Sequence, residues 1–143
     1  MKEIRSKDNR IFKECQKLSQ KKYRDKEGLY LIEGENLIAE VPEKDLVYVF
    51  FREGQERQIF DLQEQYVVAS QLFDKLAQTE TSQGILAVVR KPKLTEADLK
   101  ARIQPSDNVV VLDRLQDPGN IGTIIRTAEG AGYKAVITVK GTG

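Results

Sequence analysis

The segment Val111-Leu112-Asp113-Arg114-Leu115-Gln116-Asp117-Pro118-Gly119-Asn120-Ile121-Gly122-Thr123-Ile124-Ile125-Arg126-Thr127-Ala128-Glu129-Gly130-Ala131-Gly132 falls into three parts. An apolar run over 108–113, centred on Val109-Val110-Val111-Leu112, predicts a buried strand. Residues 114–120 predict a loop with an Asp117-Pro118-Gly119-Asn120 turn. Residues 121–131 predict a helix, with Gly132 as the residue just past its end. A second strand follows over 135–139. The whole is one βαβ unit, and two strands with one helix are too few to bury a core. The chain is therefore expected to hold only the start of this second domain.

At about 100° per residue, Ile121, Ile124, Ile125, Ala128 and Ala131 gather on the arc expected to face the sheet. Gly122, Arg126 and Gly130 lie four residues apart on the opposite side. A glycine inside a helix costs roughly 1 kcal/mol against alanine. Two of them flanking one arginine point to a face that another backbone approaches, either a partner helix or a ribose-phosphate chain. Asn120 sits in the preceding loop, and the helix N-terminus is expected to offer free N–H groups to an anion. Taken singly, Asp-Pro-Gly-Asn is an ordinary turn and a helical arginine an ordinary surface charge. The specific signal is the whole string.

Toward the N-terminus the pattern alternates. A helix is predicted over 10–22, with Asn9 as its N-cap. A strand follows over 28–32, a helix over 36–41 ended by Pro42, and a strand over 46–51. A helix over 55–65, a strand over 66–68, a helix over 71–77 capped by Ser70, and a strand over 85–89 complete the series. This is an α/β sandwich over 1–90. Lys91-Pro92-Lys93 and Gln104-Pro105-Ser106 bracket a linker, 91–107, with a short polar helix over 95–103. The second domain starts at 108 and runs to 143.

Charge is unevenly spread. Residues 1–26 hold ten Lys or Arg against four Asp or Glu, while 27–143 hold thirteen against eighteen. On one long helix, Lys13, Lys17 and Lys21 stack on a single face, extended by Arg10 and Arg24, with Glu14 the sole acidic offset. Such a stripe is often only a solvated face. Beside the segment above, Arg10, Lys13, Lys17, Lys21, Lys22 and Arg24 become candidates for phosphate contacts. Tyr23 is a candidate for stacking on a base, and Tyr30 is better read as packing.

The 143 residues contain no histidine and one cysteine, Cys15. A Ser-His-Asp or Cys-His nucleophile is excluded, and so is an internal disulfide. A zinc site is not expected, and no metal is. Cys15 reads as a small core residue. No run approaches the roughly 18–20 apolar residues that span a bilayer, and Met1-Lys2-Glu3-Ile4-Arg5-Ser6 is no secretory signal. A cytoplasmic location with no membrane partner is the expectation.

Leu112-Asp113-x-x-Gln116-Asp117-Pro118-Gly119-Asn120-Ile121-Gly122-Thr123-Ile124-Ile125-Arg126-Thr127-Ala128 resembles the first signature motif of the SpoU/TrmH-type RNA 2′-O-ribose methyltransferases, of the knotted SPOUT superfamily. Asn9-Arg10-Ile11, Lys21-Lys22-Tyr23-Arg24, Leu31-Ile32-Glu33-Gly34-Glu35-Asn36-Leu37-Ile38 and Gln83-Gly84-Ile85-Leu86-Ala87-Val88-Val89 are similar to the substrate-binding domain of many members. Ser82 stands where the family often has proline. The resemblance implies an L30e-like α/β sandwich for RNA binding, followed by the first βαβ unit of a SPOUT α/β trefoil-knot domain. It implies S-adenosylmethionine as cofactor and a homodimer formed through the catalytic domain. Its target is RNA, ribosomal (the 23S molecule) in preference to tRNA. Asn120 and Arg126 match the family's first-motif functional residues. The cofactor-binding motifs are expected beyond Gly143, so this stretch alone is expected to be inactive. The implied reaction is attack of a ribose 2′-oxygen on the cofactor's methyl group. Arginine is a poor base, with a pKa above roughly 12. Arg126 is better suited to holding a phosphate and stabilising charge on the oxygen, with Asn120 orienting the loop or ribose.

The competing reading is a non-catalytic L30e-like RNA-binding module. A Rossmann-type nucleotide binder is disfavoured, since no G-x-G-x-x-G follows the strands ending near Leu112 or Val89.

Overall fold

In the computed structural model, which describes residues 1–57, 64–77 and 81–143, the chain opens on a short strand, β1 (Lys2–Ile4), that the sequence pattern did not signal. Helix α1 (Arg10–Lys17) is capped by Asn9, whose Oδ1 accepts from the amides of Ile11 at 2.9 Å and Phe12 at 3.2 Å. The single helix expected over 10–22 is in fact two. The amides of Leu18, Ser19 and Gln20 bond back only three residues, to Cys15, Gln16 and Lys17, which tightens the last turn and ends α1. Gln20 then takes an extended conformation and starts α2 (Lys21–Glu27). Gly28 ends α2 at φ 64°, the left-handed conformation glycine adopts without strain.

Strand β2 (Leu29–Glu33) leads to α3 (Glu35–Ala39), slightly earlier and shorter than the helix expected over 36–41. A 3-10 turn at Glu43–Asp45 precedes β3 (Leu46–Arg52). The helix expected over 55–65 falls largely outside the described residues. Gln55, Glu56, Arg57 and Glu64 are not helical, and Gln65 already belongs to β4 (Gln65–Val68). Helix α4 (Ser70–Leu76) includes Ser70 as its first residue rather than as its cap; Ala69 holds the cap position and no side chain caps it. Strand β5 (Ile85–Arg90) follows.

These strands form one sheet in the order β1-β4-β3-β5-β2. Strands β1, β4 and β3 run parallel, while β5 is antiparallel to β3 and β2. Alternating side chains of the sheet feed two cores. On one face Phe50, Tyr66, Val68 and Val88 pack with Phe12, Cys15 and Leu18 of the α1 end and with Phe73 of α4. On the other, Val49, Phe51, Ile85 and Ala87 pack with Ile38 of α3. The result is a three-layer sandwich within the compact unit Met1–Pro92. Each fully buried Phe, Leu or Ile here contributes about 1.5–3 kcal/mol. Cys15 lies in the first core, and burial pushes its thiol up to about 12.

The second unit, Lys93–Gly143, opens on α5 (Glu96–Arg102), held by a reciprocal capping box between Thr95 and Asp98. Strand β6 (Val109–Leu112), helix α6 (Pro118–Gly130) and strand β7 (Ala135–Thr138) form the expected βαβ unit, with β6 and β7 parallel. Only Leu112 and Ala128 are buried in this unit. No helix among the described residues is long and apolar enough to cross a membrane.

Candidate functional site

Helix α6 begins earlier than the sequence suggested. Asp-Pro-Gly-Asn is the start of the helix and not a free turn: Asp117 is the N-cap and Pro118 occupies the first helical position, where its missing N–H costs nothing. Asn120 therefore lies in the first turn of α6, exposed, and not in the preceding loop. The Asp117 carboxylate accepts from the amides of Gly119 at 2.8 Å and Asn120 at 3.4 Å. The anion expected at this N-terminus is thus the chain's own aspartate.

The helical wheel holds in part. Ala128 is buried and Ile121 and Ile124 are half-buried, but Ile125 and Ala131 are exposed. An arc needs a partner layer to cover it, and two strands cover only its centre. On the opposite face Arg126 is exposed and makes no ion pair among the described residues. A Cβ placed on Gly122 or Gly130 would meet nothing within 4 Å. Along one face, the guanidinium thus stands between two bare patches of backbone. Gly132, at φ 76°, closes the helix as expected.

The loop before α6 is anchored by groups that the linear pattern did not reveal. Thr142 Oγ1 donates to the carbonyl of Leu112 at 3.0 Å and accepts the amide of Arg114 at 2.9 Å. Gln116 Nε2 donates to the carbonyls of Gly141 at 2.5 Å and Arg114 at 3.2 Å. The amide of Gly143 donates to the carbonyl of Leu115 at 2.8 Å. Arg114 holds φ 55°, a left-handed conformation that a non-glycine residue adopts only when its surroundings fix it. Gln116 sits within the segment singled out from sequence. Thr142 carries no local signal, since its role exists only once β7 has returned beside β6.

In the first unit, the break after α1 divides the basic residues. Arg10 and Lys13 lie on α1 and face carboxylates, Glu14 at 3.9 Å and Asp8 at 2.9 Å. Lys21 pairs with Asp25 at 2.7 Å, and Lys91 pairs with the same carboxylate at 2.9 Å. Hydrogen bonds from these two lysines hold the Asp25 carboxyl down at about 2. The stripe is therefore neither continuous nor offset by Glu14 alone. Arg24 is turned inward: its guanidinium donates to the carbonyls of Leu18 at 2.9 Å and Ser19 at 2.7 Å, closing the end of α1. Lys17 and Lys22 come together instead around Tyr23, their ammonium groups 5.7 and 5.8 Å from its ring centre. Tyr30 is half-buried against the second core, as the packing reading expected.

Residues 9–87 match the MRM3-like substrate binding domain, and residues 107–143 match the SpoU rRNA Methylase family. The chain belongs to the SpoU/TrmH-type RNA 2′-O-ribose methyltransferase family. Over 146 aligned residues it is 36% identical to the 23S rRNA (guanosine(2553)-2′-O)-methyltransferase RlmP of Bacillus subtilis, covering 99% of this chain and 56% of that protein. Its fold matches an rRNA methyltransferase from Sinorhizobium meliloti with a TM-score of 0.79 at 26% identity, over 99% of this chain and 56% of the other. The AdoMet-bound form of that enzyme matches at 0.78, with 25% identity and the same coverage. The chain spans about half the length of these SpoU-type relatives, and the residues matched include both α6 and the first unit with its basic N-terminal segment.

Proposed function

We propose that this chain supplies the RNA-gripping domain and the first catalytic motif of an S-adenosylmethionine-dependent 2′-O-ribose methyltransferase acting on 23S rRNA. The observation that carries this reading is exposed Arg126, without an ion-pair partner among the described residues and flanked by two bare glycines, six helical positions after exposed Asn120. A ribose-phosphate backbone fits against such a face. Arg126 holds the phosphate beside the target ribose and stabilises negative charge as it grows on the 2′-oxygen. Asn120 hydrogen-bonds the ribose edge. Bound S-adenosylmethionine would supply the electrophilic methyl group. Within Lys93–Gly143 only Leu112 and Ala128 are buried, so these residues present an open surface to that molecule.

The first unit takes the L30e-like role of RNA binding, with Arg10, Lys13, Lys17, Lys21 and Lys22 contacting phosphates in a salt-dependent way. Arg24 contributes by fixing α2. Exposed Val111, Ile125, Ile137 and Val139 give the second unit an apolar surface suited to the homodimer. A cytoplasmic location accords with the single, buried thiol.

The test is methyl transfer from labelled S-adenosylmethionine to 23S rRNA by the protein of the complete reading frame. The expected product is an alkali-resistant dinucleotide, the mark of a 2′-O-methyl group. A label on a base, or none at all, overturns the reading. A second reading, a non-catalytic RNA-binding module, is favoured by one observation: Met1–Pro92 holds two complete cores of its own. RNA binding without methyl transfer would select it.

A further inference from the structure

Helix α2 buries none of its seven residues. Polar clamps hold it in place: Arg24 to the end of α1, and Asp25 to Lys91 beyond β5. Beneath it, between α1, α2 and the sheet, lies a cavity of about 270 Å³. Its floor is apolar, from Cys15, Leu18, Leu29 and Val88. Half-buried Tyr23 and Tyr48 wall it. Lys17 and Lys26 stand at its rim with the carboxylates of Glu14 and Glu27.

This combination excludes most occupants. An apolar floor with two tyrosine rings takes a flat, partly apolar group. Two rim lysines take an anion attached to it, and the carboxylates accept from N–H groups on its edge. At about 270 Å³ the cavity is small beside the roughly 300–1,000 Å³ of clefts that take drug-sized ligands, and it has room for one base. The cavity also opens in the most basic part of the chain, beside Lys22.

We infer that this cavity receives a single unpaired nucleobase of the RNA substrate, lying against Tyr23 and Tyr48 with its phosphate on Lys17 and Lys26. The inference rests on the RNA-binding reading and adds to it a fixed point of register. Phosphate contacts alone let the protein slide along RNA, whereas one inserted base sets which nucleotide is presented elsewhere. The Lys17 and Lys22 ammonium groups, now close to the Tyr23 ring, turn outward to the phosphates as the base enters.

The experiment uses the whole chain and short single-stranded RNA carrying one 2-aminopurine, the same strand with an abasic site at that position, and a blunt duplex of equal length. The expected result is quenched 2-aminopurine fluorescence and about tenfold tighter binding of the intact strand than of the abasic one, the change expected from one stacked base. Tyr23→Ala should abolish that difference. The abasic comparison needs no variant, so it decides the matter even if Tyr23→Ala folds poorly. Equal affinity for intact and abasic strands overturns the pocket while leaving phosphate binding in place. Failure to bind any of the three RNAs overturns the RNA-binding reading itself.

Discussion

The hydroxyl of Thr142 accepts the amide of Arg114 at 2.9 Å, across 28 residues of sequence. The same hydroxyl donates to the carbonyl of Leu112. One side chain thus reads both sides of the bend that carries β6 toward α6. It holds Arg114 in its left-handed conformation and so sets the direction in which α6 leaves the sheet. The position of Arg126, a helix length away, depends on this anchor.

Replacing Thr142 with valine keeps the shape and removes both bonds. The Leu112 carbonyl keeps the Val139 amide as donor at 3.0 Å, so the orphaned group is the amide of exposed Arg114 and the loss should be about 1 kcal/mol of local stability. Hydrogen exchange at the Arg114 amide should quicken by about tenfold or more, while amides of β3 and β5 in the other unit stay protected. Unchanged exchange at Arg114 would show that Gln116 and Gly143 suffice to hold the loop.

The clamp on α2 has a pH signature. Asp25 is exposed, yet hydrogen bonds from Lys21 and Lys91 hold its carboxyl at about 2, below its ordinary value of 3.8. A carboxyl that is harder to protonate in the folded chain stabilises it above the unfolded value and loses that effect as pH falls through the folded one. The window is therefore about pH 4 down to 2. Asp25→Asn should lower stability at neutral pH, and its difference from the parent chain should shrink to nothing across that window. Denaturant midpoints measured from pH 6 to pH 2 check this. A difference that is constant with pH would mean that Asp25 acts through packing and not through its charge.

Arg24 was read from sequence as a phosphate contact, and its guanidinium is instead spent on the carbonyls of Leu18 and Ser19. Arg24→Ala should destabilise the first unit by about 1–3 kcal/mol, the range for hydrogen bonds to a charged group. Urea unfolding measures it. Lysine, with no planar fork, should recover only part of the loss. A midpoint unmoved by Arg24→Ala would return Arg24 to the pool of surface cations.

The helix break that redirects Arg24 illustrates what the sequence could and could not tell. Ile11, Cys15 and Leu18 keep helical spacing, and Lys13, Lys17 and Lys21 carry the same rhythm straight through Ser19 and Gln20. No proline or glycine marks the stop, which is made by backbone bonds and by a guanidinium reaching back from the next helix. The apolar strands β3 and β5 were legible because burial on both faces writes itself as an unbroken hydrophobic run. Strand β1 was not, since it pairs at the sheet edge and needs only Ile4 inside. In the second unit, Asn120 and Arg126 stood out through their spacing. The early start of α6 was also encoded, in an Asp-Pro pair that serves equally well as turn or as cap plus first turn. Thr142 was beyond reach, because nothing local requires it.

Arg126 offers the sharpest separation of folding from function. It is exposed and has no ion-pair partner among the described residues, so Arg126→Ala should move stability by no more than about 0.5 kcal/mol. In the protein of the complete reading frame it should nonetheless lower methyl transfer by about a hundredfold or more, as loss of a group that stabilises developing charge does. RNA affinity should fall little, because the cations of the first unit supply most of the phosphate contacts. Arg126→Lys should not restore the rate, since an ammonium cannot hold a phosphate and a neighbouring oxygen at once in a fixed fork. Single-turnover rates and filter-binding affinities, measured on the same preparations, separate these effects. A rate like that of the parent protein in Arg126→Ala would remove the guanidinium from the chemistry and leave the glycine-flanked face as a packing surface for a second copy.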